Sequence, residues 1–126
     1  MFVYFRELLE RIGEKEQKRK DHFQIIAEFY ADNIIQIENC EKPIKGKRKL
    51  QELENKNLNG VTSVKTKLDE VIFDSKTETI WGQMIINFVS KKNGKKKIEE
   101  AFIQKWSKGK ITYQRFFYGQ MINEEE

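Results

Sequence analysis

The chain has one histidine and one cysteine, and neither has the neighbours that would make it reactive. His22 stands beside Asp21 at an expected helix start, where a capping or surface role is the ordinary one. No metal-ligand set accompanies it, so no metal and no cofactor is expected. Cys40 has lysines near its loop but no histidine near it in sequence, which fits an unreactive thiol rather than a nucleophile. A single cysteine also excludes an intramolecular disulfide and any cysteine-built metal cage. The carboxylates and amides offer more. Glu38 closes a short apolar run, Ile34 to Glu38, just before the polar Asn39-Cys40-Glu41-Lys42. A carboxylate held in an apolar pocket is desolvated, its pKa rises, and it becomes a better base for a carbon acid. A carboxylate facing solvent at a pocket rim does none of this, and the polar residues that follow suit that placement. Gln104, Gln114 and Tyr118 lie in later strand-like segments and could hydrogen-bond a ligand.

At 126 residues the chain is long enough for one core and too short for two. It reads as a single domain over 1–126, with a core at about 21–118, a helical N-terminus at 2–20 and a frayed tail at 120–126. Charged residues make up 35% and hydrophobic ones 38%. No apolar run reaches membrane-spanning length and the first residues do not resemble a signal peptide, so a cytoplasmic protein is expected. The net charge of +4 gathers in Lys15–Lys20, Lys45–Lys49 and Lys91–Lys97. Readers of single-stranded nucleic acid interleave aromatics with such lysines. Here the aromatics sit inside strand-like runs, so a solvated basic surface is expected instead of a nucleic-acid partner.

The elements that must position these side chains follow from periodicity. Phe2, Phe5, Leu8, Leu9 and Ile12 fall at helical spacing. A second helix starts at Asp21 as N-cap, with Phe23, Ile26, Ala27 and Tyr30 on one face, and breaks at Ala31-Asp32-Asn33. Ile34 to Glu38 is a short strand. Pro43 and Gly46 punctuate a loop, and a third helix runs Lys47 to Leu58 with Leu50, Leu53 and Leu58 on its sparse apolar side. Four long strands close the chain: Val61–Phe73, Thr77–Lys91, a strand ending at Trp106, and Lys110–Tyr118. Asn93-Gly94 predicts a type I′ hairpin, and Ser107-Lys108-Gly109 a second tight turn. The expectation is an α+β fold: three N-terminal helices packed on the concave face of a curved, mainly antiparallel sheet, enclosing a cone.

Alternation sorts each strand into two faces. Ile80, Gly82, Met84, Ile86 and Phe88 form the expected inner face of one strand, and Ile98, Glu100, Phe102, Gln104 and Trp106 that of the next. The outward stripe Trp81, Ile85, Val89 suits a homodimer interface.

Phe29-Tyr30-Ala31-Asp32-Asn33-Ile34, Pro43-Ile44-Lys45-Gly46-Lys47, Phe102 to Ile111 and Arg115-Phe116-Phe117-Tyr118 together resemble the SnoaL-like branch of the nuclear transport factor 2-like superfamily. The resemblance spans about Asp21 to Tyr118. It implies a cone with a pocket between sheet and helices and, often, a homodimer through the outer face of the sheet. It also implies that Thr112, Gln114, Phe116 and Tyr118 face inward, and that Glu38 stands where isomerase relatives carry their proton-abstracting carboxylate. Phe102 stands where that relative holds a protonated acid, and a phenyl ring donates nothing to an enolate oxygen. Fold does not choose a function here. The expected ligand pocket comprises Tyr30, Met84, Ile86, Phe88, Phe102, Gln104, Trp106, Gln114, Phe116 and Tyr118, holding a small apolar molecule. An isomerase- or cyclase-type enzyme with Glu38 as base is the alternative, and a dimerisation or protein-interaction domain the second.

Overall fold

The strand-forming residues after Gly60 dictate most of the architecture. The computed structural model describes Leu8, Glu16–Gln17 and residues 19–123. In chain order these give β1 (Glu16–Gln17), α1 (Arg19–Phe29), β2 (Tyr30–Glu38), β3 (Ile44–Lys45), α2 (Lys47–Asn57), a 3₁₀ turn (Leu58–Gly60), β4 (Val61–Asp74), β5 (Thr79–Ser90), β6 (Gly94–Ser107), β7 (Lys110–Tyr118) and β8 (Ile122–Asn123). One sheet takes all the strands in the order β1-β4-β5-β6-β7-β2-β3, with β8 added on β6. The pairings are antiparallel except β2 with β7, which is parallel. Register shifts between Leu68 and Glu70, and between Lys105 and Trp106, mark the local irregularities at which a sheet bends.

The two long hairpins close differently. Ser107 pairs with Lys110 across Lys108 and Gly109, whose φ values of 52° and 79° are both left-handed. That is the type I′ arrangement, which matches the twist of the strands. At the other hairpin Ser90 pairs with Gly94 across Lys91-Lys92-Asn93, and only Gly94 is left-handed. The type I′ turn expected at Asn93-Gly94 is therefore replaced by a three-residue connection. In it the Asn93 amide donates to Ser90 Oγ at 3.2 Å.

Among the described residues two α-helices pack with the sheet, not three. Leu8 is helical and buried, and the rest of the helix expected over Phe2–Ile12 lies outside the described residues. Glu16–Gln17, expected within the helical N-terminus, instead pair with Lys65 and Val64 and cover the edge of β4. Helix α1 begins at Arg19, ahead of the expected cap at Asp21, and gives way to β2 at Tyr30 without a breaker. From Tyr30↔Ile111 to Ile35↔Tyr113 the strand β2 advances further than β7, so Asp32 and Asn33 bulge outward, exposed, inside the strand. The carbonyls at the end of α1 are met by distant lysines: Lys47 Nζ donates to Ala27 O at 2.9 Å, and Lys110 Nζ donates to Glu28 O. The buried face of α1 is Ile25, Ile26 and Phe29, whereas Phe23, expected inward, is half exposed. Ile122 and Asn123, expected in the frayed tail, pair with Lys97 and Lys96. No helix among the described residues is long and apolar enough to cross a membrane.

The core sits at the closed end of the cone. Phe29 meets Trp106 edge-on, with ring centroids 6.4 Å apart, beside Ile34, Ile80, Phe102 and Ile111. Gly82 on β5 lets the Phe102 ring lie against the strand backbone.

Candidate functional site

Above this core the sheet and the two helices enclose a cavity of about 560 Å³. Its walls are apolar. Ile25 and Ile26 come from α1, Leu50 and Leu53 from α2, and Val64, Leu68, Met84, Ile86, Phe88, Ile98, Phe102 and Phe116 from the meander. Its polar groups include those of His22, Tyr30, Gln36, Glu38, Glu54, Glu100, Gln104, Gln114 and Tyr118, with Asn57 and Thr66 also on the wall. Alternation explains most of the strand placements. On β2 the inward residues are Ile34, Gln36 and Glu38. On β7, the irregularity beside Trp106 turns Ile111 inward in place of Thr112. Thr112 instead donates to Lys105 O at 3.3 Å.

Two polar groupings face the cavity. The first is an amide chain. Trp106 Nε1 donates to Gln104 Oε1 (2.9 Å), Gln104 Nε2 to Gln114 Oε1 (3.1 Å), and Gln114 Nε2 to both Gln36 Oε1 (2.6 Å) and the Tyr30 hydroxyl (2.8 Å). Gln114 is fully buried, and a chain with its inner members satisfied fixes the rotamers of its ends. The Tyr30 hydroxyl accepts in this chain, and its own O–H remains to serve a ligand. Burial pushes that phenol up, with smaller upward contributions from Glu54 and Glu38.

The second grouping is acidic. Glu38, Glu54 and Glu100 all line the cavity. Tyr118 OH donates to Glu38 Oε1 at 2.6 Å, and burial together with that bond pushes the Tyr118 phenol up. Burial raises the Glu54 carboxyl, and repulsion from Glu38 adds to it. Burial, then Glu38, then Glu54 push Glu100 up to about 7. Glu38 is held by its neighbour. Asn39, left-handed at φ 53°, donates its amide to Phe116 O (2.7 Å) and accepts Tyr118 N–H on its side-chain oxygen (2.9 Å). Arg115 closes on the Asn39 carbonyl from the other side of β7, at 2.8 and 3.1 Å. Among the described residues, no group of three or more His, Cys, Asp or Glu is placed to hold a metal ion.

Of the pocket residues named from the sequence, Tyr30, Met84, Ile86, Phe88, Phe102, Gln104, Gln114, Phe116 and Tyr118 line the cavity, as does Glu38. Trp106 does not. It is spent in the closed end, packed on Phe29 and bonded to Gln104. On the convex face Trp81 is half exposed, but Ile85 and Val89 are flanked through the ladder by Lys67, Glu99, Ser63 and Lys95. The apolar surface there centres on Ile72 and Trp81, which are register partners, and on Phe117. Cys40 is exposed.

Gln36 and Glu54 were passed over in the sequence, and His22, expected to cap or face the surface, lines the cavity from α1 instead. A signal existed for each. His22, Ile25, Ile26 and Phe29 make one helical stripe, as do Leu50, Leu53, Glu54, Asn57 and Leu58. Gln36 shares its strand face with Ile34 and Glu38.

No protein-family model matches the sequence, and no curated protein sequence matches it. Solved structures do resemble it. A candidate SnoaL-like polyketide cyclase from Mesorhizobium loti superposes with a TM-score of 0.72 at 18% identity, covering 93% of this chain and 97% of that one. A nuclear transport factor 2-like protein of unknown function from Burkholderia pseudomallei gives 0.74 at 10%, covering 94% and 89%. An epoxide hydrolase of the LEH-like type from M. tuberculosis gives 0.71 at 12%, covering 93% and 80%. The likeness at these identities is one of fold: the chain has the α+β fold of SnoaL-like and nuclear transport factor 2-like proteins.

Proposed function

We propose that the chain binds a small, largely apolar molecule inside the cone. The observation that carries this reading is the cavity itself: about 560 Å³, apolar on most of its wall and polar at a few fixed points. That is the ordinary composition of a small-molecule site. The neutral dye Nile red should bind saturably to one site per chain. Met84→Trp, which fills the cavity from β5, should abolish that binding while leaving a cooperative thermal transition. Dye binding that survives Met84→Trp, or that never saturates, would sink the reading.

A second reading is favoured by one contact. Tyr118 orients Glu38 at 2.6 Å inside the cavity, as an enzyme moving a proton on an apolar cyclic substrate would need. In that reading Glu38 takes a proton from carbon next to a carbonyl and returns it elsewhere, and Tyr118 serves the base. The Tyr30 O–H is the donor left for the developing oxyanion. Once a substrate is identified, Glu38→Gln should lower kcat by roughly 100-fold or more. Full turnover in that variant removes the reading.

A further inference from the structure

We infer that the molecule held in the cone is an organic cation, an amine or quaternary ammonium on an apolar body, with its charged end among Glu38, Glu54 and Glu100. This rests on the small-molecule reading above and goes beyond it by naming the ligand's charge.

Charge is segregated between the surface and the chamber. The chain carries 24 Lys and Arg against 20 Asp and Glu. Yet the described residues lining the cavity include no lysine and no arginine, and their only acidic side chains are those three glutamates. The glutamates come from β2, α2 and β6, so tertiary topology gathers them and no single acidic stretch does. The ion pairs among the described residues, Lys47 with Asp32 and Arg48 with Glu52, lie elsewhere. None of the three glutamates makes one. A carboxylate withdrawn from water without a counter-charge is costly, and among the described residues no lysine or arginine supplies one. A ligand cation would supply it.

The shape of the site selects the kind of cation. Among the described residues the acids form no group able to hold a metal ion. They share an apolar chamber whose walls include Phe88, Phe102 and Phe116. An alkylammonium group is large, weakly hydrated and attracted to aromatic faces as well as to carboxylates, so it suits such a chamber. Among the described residues, three other titratable groups line the chamber with the acids: His22 from α1, Tyr30 from β2 and Tyr118 from β7. The phenols remain neutral over the ordinary pH range because burial pushes both up. Protonation of His22 at low pH would oppose a cation. Upward-shifted Glu54 and Glu100 are what unneutralised acids in such a chamber should show, and a bound cation would pull both back down.

The test uses an isosteric pair, phenyltrimethylammonium and tert-butylbenzene, which differ in charge and hardly in shape. Each is titrated by calorimetry and by displacement of Nile red from the full chain. At about pH 8 the cation should bind roughly tenfold tighter or more. That preference should shrink towards about pH 5 as Glu100 takes up its proton. In a Glu54→Gln/Glu100→Gln double variant, checked to displace dye with tert-butylbenzene as the parent does, it should fall several-fold. Equal or tighter binding of tert-butylbenzene by the parent overturns the charge assignment and leaves the pocket reading standing. A cation preference unchanged in the double variant overturns it too, because the charge would then be recognised elsewhere. Absence of any saturable dye binding removes the pocket reading, and this inference with it.

Discussion

Replacing Gly82 by alanine should lower the unfolding free energy by about 2–3 kcal/mol, the upper part of the usual range for overpacking a formed core. A Cβ built there would lie 2.7 and 2.8 Å from Phe102 Cζ and Cε1, and 2.8 Å from Glu70 O. Real contacts to carbon do not come that close, so something must move. The ring has room only towards the chamber, since elsewhere Phe102 is packed in the buried cluster with Ile80, Trp106 and Ile111. The carbonyl has less, because it belongs to β4 beside the irregularity between Leu68 and Glu70. Alanine would also restrict the unfolded chain, which by itself stabilises by about 0.4–1 kcal/mol. The clash is the larger effect. Phe102→Leu in the Gly82→Ala background should recover part of the loss but not all, since Glu70 O stays in place. Denaturant melts of the parent, both single variants and the double variant check this. A Gly82→Ala protein within about 0.5 kcal/mol of the parent would mean that the strands separate at little cost. The consequence reaches the site, because Phe102 is cavity wall: Gly82 sets how deep the chamber goes.

The four-stranded meander was legible because alternation and turn chemistry are local. Thr66 and Leu68 alternate with Lys65 and Lys67, and Lys108-Gly109 supplies both left-handed residues of its turn. The parallel pairing of β2 with β7 was not legible, because it joins segments about eighty residues apart and no local pattern records it. Its effect on the site is large. It brings Glu38 beside Phe116 in register and within reach of Tyr118. The handover from α1 to β2 at Tyr30 was hidden for a related reason. Residues 31–33 read as a breaker, but the sheet tolerates them as an outward bulge.

The acidic half of the site shows a different limit. Glu54 looks like one more charged residue on a Lys- and Glu-rich helix, and only its place between Leu50, Leu53 and Leu58 turns it inward. Helix propensity cannot tell a solvated glutamate from one that tertiary packing buries. Trp106 fails in the opposite direction. Its strand face was readable, yet that face continues past the chamber into the closed end, and alternation does not say how far a cavity extends. The basic surface and the acidic interior are each ordinary in composition. Their separation by burial exists only in three dimensions.

Glu100 should make the protein lose stability as pH rises from about 4.5 to 7, and Glu100→Gln should remove that loss. In the unfolded chain this carboxyl titrates near its ordinary 4.5, and in the fold it is pushed up to about 7. Between those values the folded protein holds a proton that the unfolded chain has released. The contribution is therefore complete below 4.5 and is lost as pH rises through 7. At about 1.4 kcal/mol per pKa unit, discounted for the water that reaches the chamber, the window carries about 2 kcal/mol. Glutamine is neutral throughout. The stability difference between Glu100→Gln and the parent, from urea melts at stepped pH, should thus grow in the variant's favour by that amount and then level off. A flat difference across the window would show that Glu100 ionises in the fold as easily as in water. Glu38→Gln separates the two causes. Burial is the larger and Glu38 the smaller, so removing the Glu38 charge should narrow the window while leaving most of it. If the window closed entirely, repulsion between acids would be the dominant force in the chamber, and a ligand cation would have still more to neutralise.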